Sequence, residues 1–195
     1  MIISHSKKFI YFKGPKVAGT SVEIYFENRC NPSVDVIGYR GPNPKPEGCE
    51  WWNHMVPSQI KSKVDQNVWD NYFKFACIRN PWDRLVSYYF WNIHAKHITE
   101  QVSFKSFCQE LEGFSLVGFY QLKQDPNNVD FFVKFENLKD DIKKVCERLD
   151  IEYEYDTMPF EKKTIHKPYE EYYTKEIKDI VYPLIKDDLE YFQYQ

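Results

Sequence analysis

Residues 7–28 constrain the fold more than any other stretch of this chain. Lys7 to Lys13 carries the β-formers Phe9, Ile10, Tyr11 and Phe12, and Gly14-Pro15 stops the run. Thr20 to Asn28 then sets Val22, Tyr25 and Phe26 at helical spacing. A buried strand, a glycine-bounded loop and a helix, in that order, open an α/β domain. The loop Gly14-Pro15-Lys16-Val17-Ala18-Gly19-Thr20-Ser21 has the outline G-x-x-x-x-G-K-[ST], with Thr20 where that motif carries lysine. Backbone amides at such a strand-to-helix junction form an anion site. Thr20 and Ser21 add hydroxyls, and Lys16 supplies a cation from inside the loop. The alternative is a tight turn in which the glycines only permit the backbone path.

The rest of the chain continues the alternation. Val34, Val36 and Gly38 alternate like a short strand, and Arg40 to Gly48, with three prolines and two glycines, is a surface loop. Pro57 to Val64 reads as a short helix. Phe73 to Ile78 is a second buried strand. Asn80 caps the following helix, Pro81 fits its first position and Asp83 its first turn, and the helix runs to about Ala95. Phe104 to Leu111 is another short helix, and Val129 to Phe135 a third strand. Leu138, Ile142, Val145, Cys146 and Leu149 fall on one helical face. Lys175 to Phe192 carries a similar stripe, which Pro183 is expected to kink or split. Strands separated by helices predict a mainly parallel central sheet with helices on both faces.

A second anion site is expected at the end of the second strand. Arg79 leaves that strand, and Ser87 follows eight residues later, about two turns into the next helix. Both can grip one phosphate in the crevice where ligands bind open α/β sheets. The alternative is an Arg–Asp pair beside an unrelated serine.

Composition narrows the function. Of 195 residues 43% are hydrophobic and 28% charged, enough for a packed core, and a net charge of −3 disfavours a nucleic-acid partner. No apolar stretch approaches the roughly 18 residues of a membrane span. Five cysteines without a C-x-x-C pair suit a reduced, cytoplasmic protein better than a disulfide scaffold or zinc ribbon. His94 and His97 lack a third ligand at suitable spacing, so no metal is expected.

The two anion strings together resemble the sulfotransferases. Phe12 to Ser21 is similar to their 5′-phosphosulfate loop, H-I-P-K-T-A-G-T-S, and Phe75 to Ser87 to their 3′-phosphate strand and helix, with the same Arg-to-Ser spacing. Val133 to Leu138 resembles their R-Y-E-D-L string, and Tyr172-Tyr173 through Tyr194 their closing pattern. The likeness is nearest to the carbohydrate branch, Golgi-type and heparan 2-O-like. Lys13 stands for the frequent histidine, Gly14 for isoleucine and Gln193 for the final glycine, and the usual N-terminal membrane anchor has no counterpart.

The resemblance implies a P-loop-NTPase-like three-layer domain over 1–195. It implies 3′-phosphoadenosine 5′-phosphosulfate as donor, without metal, and an acceptor hydroxyl, on a glycan or small molecule. Gly14, Pro15, Lys16, Ala18, Gly19, Thr20 and Ser21 would hold the 5′-phosphosulfate, and Arg79 and Ser87 the 3′-phosphate. His166 and Lys167 are candidate phosphate contacts. Lys16 would stabilise the charge developing on the bridging oxygen. His54 is the candidate base, since a histidine often stands there in the carbohydrate branch and its intrinsic pKa suits the task. Glu136 is the runner-up. Trp51 and Trp52 could line an acceptor cleft or pack in the core. The competing readings are a nucleotide kinase with a degenerate loop, which Thr20 opposes, and a nucleotide-binding protein without activity.

Overall fold

The computed structural model describes residues 1–41, 44–159 and 166–195. The chain opens with a hairpin. Strand β1 (Ile2–Ser4) turns back through residues 5–8 into β2 (Phe9–Phe12). Asp35 fastens this turn by accepting from Ser4 Oγ, Ser6 Oγ and the Ser6 amide. Helix α1 (Gly19–Glu27) follows, then a two-residue β3 (Val36–Ile37). Short helices α2 (Pro57–Lys61) and α3 (Gln66–Asn71) precede β4 (Phe73–Ile78). Next come α4 (Pro81–His94), α5 (Phe104–Gln109), α6 (Leu116–Tyr120) and β5 (Phe131–Lys134). The chain closes with α7 (Leu138–Leu149) and α8 (Lys175–Phe192).

The sheet is mixed, which corrects the expectation of a mainly parallel one. Its order is β3-β1-β2-β4-β5. Strands β2, β4 and β5 run parallel, but β1 pairs antiparallel with both β2 and β3. A three-residue strand joined by a four-residue turn carries no periodicity to read, so β1 left no trace in the pattern. The parallel core matches the expectation. β2 is buried throughout and β4 from Lys74 to Ile78, as strands covered on both faces must be.

Two apolar clusters hold the layers. The larger joins the sheet to α1 and α7 through Val22, Tyr25, Phe26, Ile142, Val145 and Cys146. The smaller joins α4, α5 and α8 through Leu85, Val86, Phe104, Phe107, Val181 and Ile185. Each fully buried aliphatic or aromatic side chain contributes about 1.5–3 kcal/mol. Helix α7 has the bounds its apolar stripe predicts. Helix α8 is continuous, so Pro183 does not split it. Pro183 and Asp179, whose carbonyl loses its partner, are both exposed, and water can take that bond.

Candidate active site

The register of the parallel strands builds the site. Ile78 pairs with Lys134, so β4 and β5 end together, and Phe12 pairs with Ala76, so β2 ends two residues sooner and the loop after it runs beside the end of β4, which Arg79 follows. This is the edge of an open α/β sheet at which ligands bind.

The loop is held from inside. Val17 is fully buried and acts as an apolar peg. Lys16 (φ 62°) and Ala18 (φ 58°) both adopt the left-handed conformation. For residues other than glycine this costs of the order of 1–3 kcal/mol each, and such strain collects at functional sites. Ala18 is the N-cap of α1, with no side chain capping the helix and no acid in its first turn. The first amides of α1 therefore have no anionic partner from their own helix, as an anion site requires.

The glycines serve close approach rather than positive φ. A Cβ on Gly14 would lie 2.5 Å from Tyr120 Oη, and one on Gly19 would lie 2.8 Å from Lys13 Cγ. Tyr120 is fully buried and donates to the Cys77 carbonyl at 2.9 Å. Tyr11 donates to the Gly19 carbonyl at 3.2 Å. Tyr11 thus ties the loop to β2, while Tyr120, bonded to β4, packs against Gly14.

Helix α4 forms the facing wall. Lys16 Nζ stands 5.5 Å over the Trp91 ring, and Trp91 lies one turn beyond the buried Ser87. His166 stacks on Phe90 of the same helix, with centroids 5.6 Å apart and planes 15° apart. The structure therefore brings Lys16 and His166 to the stretch of α4 that carries Ser87. The Lys167 ammonium pairs with Glu171 at 3.3 Å, and its side chain is 73% exposed.

Arg79 is buried and fixed before any ligand arrives. Its Nε and Nη2 both meet Asp83 Oδ2 at 2.8 Å, and its guanidinium lies 4.3 Å over the Phe135 ring. The Arg–Asp pair anticipated as the alternative is present. It orients the guanidinium through one edge and leaves Nη1 outside the pair. Glu136 is a buttress. It accepts from the Asn80 amide at 2.6 Å and from Tyr194 Oη at 2.8 Å, which uses both carboxylate oxygens.

His54 sits at the loop's base with φ 59°, and its Nδ1 lies 2.9 Å from the Lys13 carbonyl. A carbonyl only accepts, so Nδ1 carries the hydrogen and Nε2 keeps the lone pair. Burial of the ring lowers its pKa to about 4, against the opposing effect of the Lys13 carbonyl. Its exposed face is screened by water, which moderates that lowering, and in either case the ring is neutral at pH 7. Asn53 Oδ1, one residue away, is buried without a hydrogen-bond partner among the described residues. Trp51 and Trp52 are half-buried against the main core, with Lys63 and Lys45 over their outer faces.

One supporting network joins residues of two of the resembling strings with the start of α6. Asp188 of α8 is fully buried and accepts from Arg84 Nη1 at 3.2 Å, Ser115 Oγ at 2.8 Å and the Leu116 and Val117 amides. It thereby caps α6, the helix that ends in Tyr120. Burial lowers the Arg84 pKa to about 10, Asp188 opposing, so Arg84 stays charged at neutral pH.

Among the described residues no group of three or more His, Cys, Asp or Glu could hold a metal ion, and no helix is long and apolar enough to cross a membrane. All five cysteines are free thiols.

No solved structure matches the chain significantly. An uncharacterized protein of Archaeoglobus fulgidus is 30% identical over 108 residues, which is 52% of this chain and 88% of that relative. The family model described as "Sulfotransferase family" matches residues 1–195, and the chain belongs to that family.

Proposed function

We propose that residues 1–195 act as one cytoplasmic sulfotransferase domain that moves a sulfuryl group from 3′-phosphoadenosine 5′-phosphosulfate to an acceptor hydroxyl. The observation that carries this reading is the placement of Lys16. It projects from a strained loop at the end of β2, across from Ser87 and Trp91 of α4, with Arg79 one strand over.

The donor set suits a nucleotide with phosphates at both ends. Uncapped amides of α1, the loop amides of Gly14 and of Lys16 to Ala18, and the Thr20 and Ser21 hydroxyls are neutral donors suited to a 5′-phosphosulfate. Arg79 and Ser87, held on a separate strand and helix, form a second anion grip suited to a 3′-phosphate. His166 on Phe90 stands at the same wall. The second grip favours this donor over ATP, which carries no 3′-phosphate.

The reaction is an in-line displacement at sulfur. The acceptor oxygen forms a new S–O bond as the bond from sulfur to the bridging oxygen breaks, and adenosine 3′,5′-bisphosphate leaves. Lys16 offsets the charge gathering on that bridging oxygen. His54 Nε2, with its lone pair free, takes the acceptor proton. A negatively charged donor beside His54 raises the pKa of the ring and so strengthens it as a base. A carbohydrate acceptor is supported by the resemblance of the two anion strings to the carbohydrate branch.

The test is transfer of labelled sulfate to a panel of sugars and small hydroxyl compounds. Lys16→Ala should lower kcat by about 10²-fold or more while donor affinity changes by less than tenfold. Equal turnover in that variant would remove the role assigned to Lys16.

A further inference from the structure

Three parts of Lys13 touch three different residues. Its carbonyl holds His54 Nδ1 at 2.9 Å. Its Cγ fills the space beside Gly19, where a Cβ would come within 2.8 Å. Its ammonium pairs with Glu23 of α1 at 2.8 Å, with side chains 3% and 0% exposed. Glu23 also receives the Met1 α-ammonium, and Arg40 at 3.5 Å. Burial pushes the Glu23 carboxyl up, but the Met1 α-amino group and Lys13 outweigh it and hold it below the usual carboxylate range. An ionised pair this deep persists only when each charge has its partner in place.

We propose that Glu23 and Lys13 are positioning residues for His54: their buried ion pair anchors the residue whose carbonyl fixes the His54 tautomer, leaving the lone pair on Nε2. The inference deepens the reading of His54 as base and rests on it. It also accounts for lysine at position 13, where the family often carries histidine. A lysine reaches the carboxylate on α1 and still presents its backbone to His54.

The charged groups acting on His54 are Lys13, which disfavours its cation, and Glu23, which favours it; the Met1 α-amino group, whose pKa burial lowers to about 6 against the pull of Glu23, adds to the first only below that pH. Removing Lys13's charge therefore makes the ring easier to protonate, and removing Glu23's makes it harder. The experiment is ¹⁵N NMR titration of His54 in the free enzyme, with pH profiles of turnover alongside. The wild type should show the Nδ1–H tautomer. Lys13→Met should raise the His54 midpoint by about half a unit or more, and Glu23→Gln should lower it, with the acid limb of kcat/KM moving in parallel. An Nε2–H tautomer in the wild type, or unmoved midpoints in both variants, would overturn the proposal. The tautomer needs no variant, so it decides even if a substitution fails to fold. His54→Ala separates the two levels: full turnover there removes the role of base and leaves the tautomer result standing.

Discussion

Gly14→Ala is the most informative single perturbation of the loop. The added methyl would lie 2.5 Å from Tyr120 Oη, about an ångström inside contact distance, and 3.4 Å from Leu116 Cδ2 and Val17 Cγ2. Tyr120 cannot retreat cheaply, because it is fully buried and its hydroxyl is bound to the Cys77 carbonyl. Overpacking of this kind costs about 1–3 kcal/mol, which for a chain of this size lowers Tm by roughly 3–10 °C. Tyr120→Phe alone loses one buried hydrogen bond, about 1–1.5 kcal/mol. The double variant removes the atom that clashes. Its destabilisation should fall short of the sum of the two singles by about 1–2 kcal/mol, as expected for groups in contact. Thermal denaturation of the four proteins gives this coupling. Titration with adenosine 3′,5′-bisphosphate shows whether the loop recovers its ligand in the double variant. Strict additivity would refute the claim that the Tyr120 hydroxyl is what a larger residue at position 14 meets.

Further outcomes follow from the buried charges and the second anion grip. Asp188→Ala strands Arg84 and uncaps α6, so it should cost about 3–5 kcal/mol by denaturant unfolding, with bisphosphate affinity weakened through Tyr120. A loss under about 1 kcal/mol would contradict that account. The Glu23 carboxyl sits below its ordinary 4.5, so its contribution to stability is complete above about pH 4.5 and is lost as the pH falls through its lower folded value. Glu23→Gln should therefore flatten the fall of stability below that pH, and an unchanged slope would exclude Glu23 as a source. Asp83→Asn should weaken bisphosphate binding through a less ordered Arg79, by a smaller factor than Arg79→Ala; calorimetry ranks the two.

The readable parts of this molecule were those whose signal is local. The stripe of α7, the apolar runs of β2 and β4 and the Asn80-Pro81 start of α4 follow from spacing and capping alone. Strand β1 was hidden because three residues show no period, and its pairing reverses part of a sheet that alternation suggested would be mainly parallel. The loop was legible as an anion site, but its mechanics were not. Glycine suggests positive φ, whereas here Lys16 and Ala18 bear it and Gly14 and Gly19 make room for Tyr120 and Lys13. Which groups crowd a glycine depends on helices far along the chain. The same holds for Asp188, whose partners Arg84 and Ser115 lie 104 and 73 residues away. Arg79 and Asp83 were readable as a pair and as a phosphate grip, and the structure shows the pair in place with one edge of the guanidinium outside it.

The central claim is that two separate anion grips select a nucleotide phosphorylated at both ends. Calorimetry or thermal shift with adenosine 3′,5′-bisphosphate, against ADP and Mg·ATP, tests it most directly. At about 100 times its Kd the bisphosphate should add roughly 2.7 kcal/mol of stability, a shift of several degrees. ADP should add far less, and Arg79→Ala should erase the difference. A clear shift with Mg·ATP and none with the bisphosphate would contradict the account and point to phosphoryl transfer instead.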